Sequence, residues 1–170
     1  MKRESGFTLI ELLMVVCIIG ILASMAVMNV WRSKSAANEA AAIMSLRSVS
    51  SAQVAYSSAC GTGHFAPTLL LLGPQPTGEP FLSPDLTTGV TVQKSGYNIR
   101  LAPSLASVAG PTDCNGNPTL SGYVALAEPV TFGTTGTRSF ATLSPMQTIW
   151  QVWDPVAPAE PFVAPATPVR

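Results

Sequence analysis

The 170 residues carry nine basic and nine acidic side chains, 11% charge, a single histidine and a mean hydropathy of +0.35. That length suits one domain with at most a small companion. The sparse, balanced charge excludes the basic stripe of a nucleic-acid surface. With 13 glycines and 15 prolines among many Ser and Thr, the polar part of the chain predicts short strands joined by turns.

In chain order, the first predicted element is apolar. Between Phe7 and Trp31 the only charged side chain is Glu11, in a run long enough to cross a bilayer. A carboxylate at membrane depth costs about 3 kcal/mol, so its presence needs a reason. A secretory signal would use Lys2 and Arg3 as its basic end, residues 9–22 as its apolar core and Ser24-Met25-Ala26 as its cleavage site. A plain anchor would hold its basic end in the cytoplasm. Neither reading employs Glu11.

The stretch Gly6-Phe7-Thr8-Leu9-Ile10-Glu11, with the apolar run through Gly20 behind it, resembles the processing motif of type IV pilins and of the pseudopilins of type II secretion. The resemblance implies a leader over residues 1–6, cleavage between Gly6 and Phe7, and N-methylation of Phe7 by the prepilin peptidase. Glu11 becomes the fifth residue of the mature chain. It then faces the new α-ammonium of a neighbouring subunit's Phe7 as helices pack, and Gly20 belongs to the same assembly segment. A lone charge in a dry filament core is strongly unfavourable, so Glu11 acts as an assembly register. Residues 7–31 are expected to form the membrane-spanning and filament-core helix. Many relatives carry a proline at the position held here by Met28.

Beyond Trp31, Ala36, Ala40, Ile43, Leu46, Val49, Ala52 and Tyr56 recur at helical spacing. Arg32, Lys34, Glu39 and Arg47 lie off that stripe and read as a solvated face. The helix is expected from residue 7 to about Ser58, roughly 75 Å at 1.5 Å per residue. Gly61 and Gly63 follow as stop signals. The proline-rich stretch 64–88 reads as loop with one helical turn at 68–72. The runs 90–94 and 97–101 around Ser95-Gly96 are expected as a hairpin or one bent strand, with further strands at 123–127, 139–143 and 148–152. The predicted fold is α+β: a long helix whose second half lies on a four- or five-stranded antiparallel sheet, the ladle that the resemblance implies. The head spans 32–153, and the proline-rich tail 154–170 runs extended along the surface or disordered. Trp150 and Trp153 are read as sharing one face of the last strand, for core or subunit packing.

An exported chain meets an oxidising compartment, so Cys60 and Cys114 are expected to pair, whereas Cys17 reads as a small apolar residue. No catalytic set is evident, and no cofactor or metal site is expected. His64 has no ligand cluster around it. Asp113 and Asn115 supply two oxygen ligands where calcium takes six to eight.

The sequence thus reads as a structural subunit that polymerises with itself. Its partners are the prepilin peptidase and methyltransferase, the pilus assembly machinery and the inner membrane, with no nucleic acid and no small-molecule substrate. It passes from the bacterial inner membrane to an extracellular pilus. The alternatives are a type II secretion pseudopilin in a periplasmic filament, and a membrane-anchored periplasmic binding protein or enzyme whose head works alone.

Overall fold

A computed structural model describes residues 6–76 and 78–169, with the backbone alone at 25–29. They form two compact units, one up to Lys34 and one from Ser35. Of the expected leader, only Gly6 lies among the described residues. Helix α1 is Leu9–Ala59; the sequence places no proline before Pro67, so nothing removes a helical hydrogen bond. The chain leaves the helix through Thr62 (φ 50°) and Gly63 (φ 86°). There the Gly63 N–H donates to the Ser57 carbonyl, satisfying one of the open carbonyls of the last turn.

Within the second unit the helix buries Ala42, Leu46, Val49, Ala52 and Tyr56, a stripe at three- and four-residue spacing. Two sequence expectations are corrected there. Ala36 and Ala40 are exposed. Glu39, read as solvated, is 5% exposed, because three residues before Ala42 it continues the buried stripe.

Six strands follow: β1 (Thr91–Lys94), β2 (Tyr97–Pro103), β3 (Tyr123–Pro129), β4 (Ser139–Leu143), β5 (Ile149–Val152) and β6 (Thr167–Pro168). They pair in sequence order, each antiparallel to the next. The α+β fold is as expected, with β6 the addition to the predicted four or five strands. Ser95 (φ 47°) and Gly96 (φ 73°) close the first hairpin, left-handed at both positions as a type I′ turn requires. The loop after β3 packs onto this hairpin through a second glycine. A Cβ on Gly136 would lie 1.9 Å from the Tyr97 hydroxyl oxygen, closer than any real contact.

Alternation along the strands builds two apolar layers. Tyr97, Ile99 and Leu101 of β2, Tyr123, Ala125 and Ala127 of β3, Phe140 and Ile149 join the helix stripe in the main core. The proline-rich stretch contributes Leu69 and Leu72 from a 3₁₀ turn (Leu69–Leu72) and Leu86 from another (Pro84–Leu86). Gln53 is fully buried, and its amide acts as a strand partner for Ala66. It donates to the Ala66 carbonyl (2.8 Å) and accepts the Ala66 N–H (2.9 Å), leaving neither group unpaired.

The second layer lies on the opposite sheet face. Val124, Leu126 and Ala141 are buried beneath Ala157, with Phe162 packed against them. The proline-rich segment therefore runs over the sheet as a strap that ends in β6. Parity also separates the two tryptophans. Trp150 lies against Phe162, ring centroids 5.7 Å apart. Trp153, an odd number of residues on, leaves the strand on the other side and is 71% exposed; the expected shared face does not exist.

Cys60 and Cys114 form a disulfide with Cα atoms 4.9 Å apart, and the Cys114 N–H donates to the Cys60 carbonyl. Because the bond closes 54 residues of separation, breaking it should cost the head about 4 kcal/mol. The expected result is a lower denaturation midpoint in dithiothreitol or in Cys114→Ser, with N-terminal processing unchanged; an unaltered midpoint would remove the bond from the head's stability.

Beside the disulfide, four protein donors fill the Asp113 carboxylate. The Asn115 and Asn117 N–H groups reach Oδ1, while the Tyr56 hydroxyl and Asn117 amide reach Oδ2 at 2.7 and 3.1 Å. Burial opposes its ionisation, but the Tyr56 and Asn117 hydrogen bonds outweigh that and hold its pKa below 3.8. Glu39 is similar: burial raises its pKa, yet hydrogen bonds from Thr137 and Arg138 bring it below its ordinary 4.5. A carboxyl with a depressed folded value stabilises the fold above its unfolded pKa and loses that contribution as pH falls through the folded one. Stability of the head should therefore be level near neutrality and decline below about pH 4. Urea midpoints measured from pH 7 to pH 2.5 check this, and Tyr56→Phe should flatten the acid limb.

Candidate processing and assembly segment

The first unit is built around the start of α1. Thr8 caps it: Thr8 Oγ1 accepts the Glu11 N–H at 3.3 Å and its carbonyl accepts the Leu12 N–H at 3.3 Å. The Thr8 hydroxyl also donates to Glu11 Oε2 at 3.4 Å. Thr-x-x-Glu is the spacing of a capping box, in which the glutamate folds back on the cap. Glu11 also stands in the first turn, where a carboxylate favours the positive end of the helix dipole. Glu11 thus has a local role within its own chain, and Thr8 is the functional residue that the sequence reading missed. The signal was present as T-x-x-E.

The described helix beyond this cap is apolar and open. Every large apolar side chain over residues 7–22 is between 47% and 81% exposed, with Phe7 at 80%. A helix that is apolar all round requires burial in protein or lipid. Gly20 is on it, and a Cβ there would meet nothing within 4 Å. Its glycine is not demanded by the chain's own packing, but small residues let helices approach closely. Cys17 is a free, exposed thiol on the same stretch. Among the described residues no helix is long and apolar enough to cross a membrane. The expected span over 7–31 includes residues 25–29, whose side chains lie outside the described ones.

Among the described residues the head gathers no second site of comparable chemistry. A depression along the helix is lined by Met44, Arg47, Ser48, Ser51, Phe81 and Ser83, with one ionisable group and no acid–base pair. His64 rests its Nδ1 against the Thr62 carbonyl at 3.2 Å. Among the described residues no group of three or more His, Cys, Asp or Glu side chains is placed to hold a metal ion. The four donors around Asp113 engage both of its carboxylate oxygens.

Over residues 1–27 the chain matches the prokaryotic N-terminal methylation motif. No curated protein and no solved structure matches it. What the match defines is a chain that carries an N-terminal methylation motif. More particularly, the motif is the prepilin type, shared by precursors of type IV pilins and pseudopilins.

Proposed function

We propose that the chain is the structural subunit of a type IV pilus. It is made as a prepilin, cut between Gly6 and Phe7, methylated at Phe7, and held in the inner membrane by its apolar helix before assembly. In the filament, Glu11 of one subunit meets the Phe7 ammonium of the next, and the apolar faces over residues 7–22 cover one another. The observation that carries this reading is the prepilin-type motif placed on a helix start whose apolar side chains are exposed all round. In a dry filament core an anion among those faces is unfavourable unless a cation arrives with the next copy. Processing by the prepilin peptidase and insertion by the pilus machinery follow from the same motif.

Labelled antibody against the head, viewed by electron microscopy on intact cells, tests the destination. Decorated surface filaments support the pilus. Label confined to the periplasm would instead make the chain a pseudopilin, which shares the processing and the fold.

A further inference from the structure

The segment following Trp153 is held at five points. The Ser139 hydroxyl donates to the Asp154 carbonyl, the Ala157 N–H to Glu128 Oε1 (3.0 Å) and the Leu105 N–H to Glu160 Oε2 (2.7 Å). Phe162 lies on Trp150, and β6 pairs with β5 through Trp150–Pro168 and Gln151–Thr167. Beneath it are the otherwise outward side chains Val124, Leu126 and Ala141.

The edge is finished in a specific way. The Val169 N–H donates to the Ile149 carbonyl at 2.8 Å, so antiparallel alternation turns the main-chain groups of Gln151 and Thr167 toward each other as well. Pro168 falls between them, where an N–H would point outward, and proline has none. The next outward donor, the Ala166 N–H, is bound to the Val163 carbonyl. Over these positions the strap offers no free main-chain donor to another strand. Short edge strands with proline are how natural sheets avoid edge-to-edge pairing. The strand underneath, Ile149-Trp150-Gln151-Val152, is uncharged and rich in strand formers, the composition that pairs readily when exposed. At the opposite edge, β1 relies on charge instead: Lys94 is ion-paired with Asp85.

We propose that residues 154–169 mask a self-association surface, formed by the β5 edge and the apolar face of Val124, Leu126 and Ala141. The occupant when the strap is released is β5 of a second copy, paired antiparallel. The strap keeps heads from joining through their sheets, leaving contact between copies to other surfaces. This inference rests on the sheet alone and stands whether or not the chain builds a pilus.

The test uses the full chain in detergent micelles. Thr167→Pro with Val169→Pro removes both ladder donors and leaves the cover from Ala157 to Phe162 in place. Protein mass by light scattering and amide exchange at Gln151 are followed against concentration. In the dilute variant the Gln151 amide should exchange faster by at least an order of magnitude; as concentration rises, the mass should double and protection return. A variant that keeps the unaltered chain's mass throughout, or that associates while Gln151 stays unprotected, overturns the proposal. If the variant does not fold, the same readouts on the unaltered chain in low urea decide the matter. There the two-residue strand opens first, and opening without association is again the contrary result.

Discussion

Replacing Glu11 by alanine is expected to leave a processed, folded subunit that enters filaments poorly or not at all. Within the subunit the carboxylate does little. It is exposed, accepts one long hydrogen bond from Thr8, and contributes to a cap whose loss costs about 1 kcal/mol. In the proposed filament the same change strands a neighbour's Phe7 ammonium among apolar helices, and an uncompensated buried charge costs about 3–5 kcal/mol. Repeated at every subunit contact, that difference stops growth. Glu11→Lys should be at least as severe, because it sets two cations together. Thr8→Val separates the two roles: it removes the cap but keeps the carboxylate, and should lower filament yield far less than Glu11→Ala. The readout is sheared filament mass relative to subunit in the membrane. Unaltered yield from Glu11→Ala would sink the register.

In the head, a large loss of stability is also expected from Arg138→Ala. The Arg138 guanidinium donates from Nε to Glu39 Oε2 at 2.8 Å, from Nη2 to the same oxygen, and from Nη1 to Gln151 at 2.7 Å. Its carbon stands 5.6 Å from the Phe140 ring centroid and 5.4 Å from that of Trp153. The Thr137 N–H and hydroxyl complete the Glu39 shell. Truncating Arg138 leaves a buried carboxylate with two neutral donors, a loss of about 3 kcal/mol at the lower end for a broken buried pair. Pairing that change with Glu39→Leu should recover much of the loss, since removing both charges removes the desolvation penalty as well. Denaturant unfolding of the four chains of this cycle measures the coupling. Strictly additive losses would show that the two side chains do not act on each other.

The hairpin and the central strands were legible because turn chemistry is local. Ser95-Gly96 between strand formers left a hairpin or one bent strand open, and the positive φ at both residues makes it the hairpin; 139–143 ends at Ser144-Pro145 as expected. The helix was legible from its apolar period, but its phase was not. Alanine fits either side of a helix, so Ala36 and Ala40 stood in the expected stripe and the buried Ala42 did not. Glu39 looked solvated because its partners, Thr137 and Arg138, lie almost a hundred residues away. The strap was legible only as a surface segment, for a related reason. Proline density rules out a central strand, yet says nothing of the sheet face that Ala157 and Phe162 cover. In the first unit the resemblance drew attention to Glu11 between subunits, and its capping partner Thr8 passed unnoticed.

The measurement that bears most directly on the central claim is the intact mass and N-terminal peptide of the protein taken from its native membrane or from shed filaments. The expected chain begins at Phe7 and carries one methyl group on its α-nitrogen. A chain beginning at Met1 or Val27 would contradict prepilin processing and leave Glu11 without its proposed partner on the neighbouring subunit.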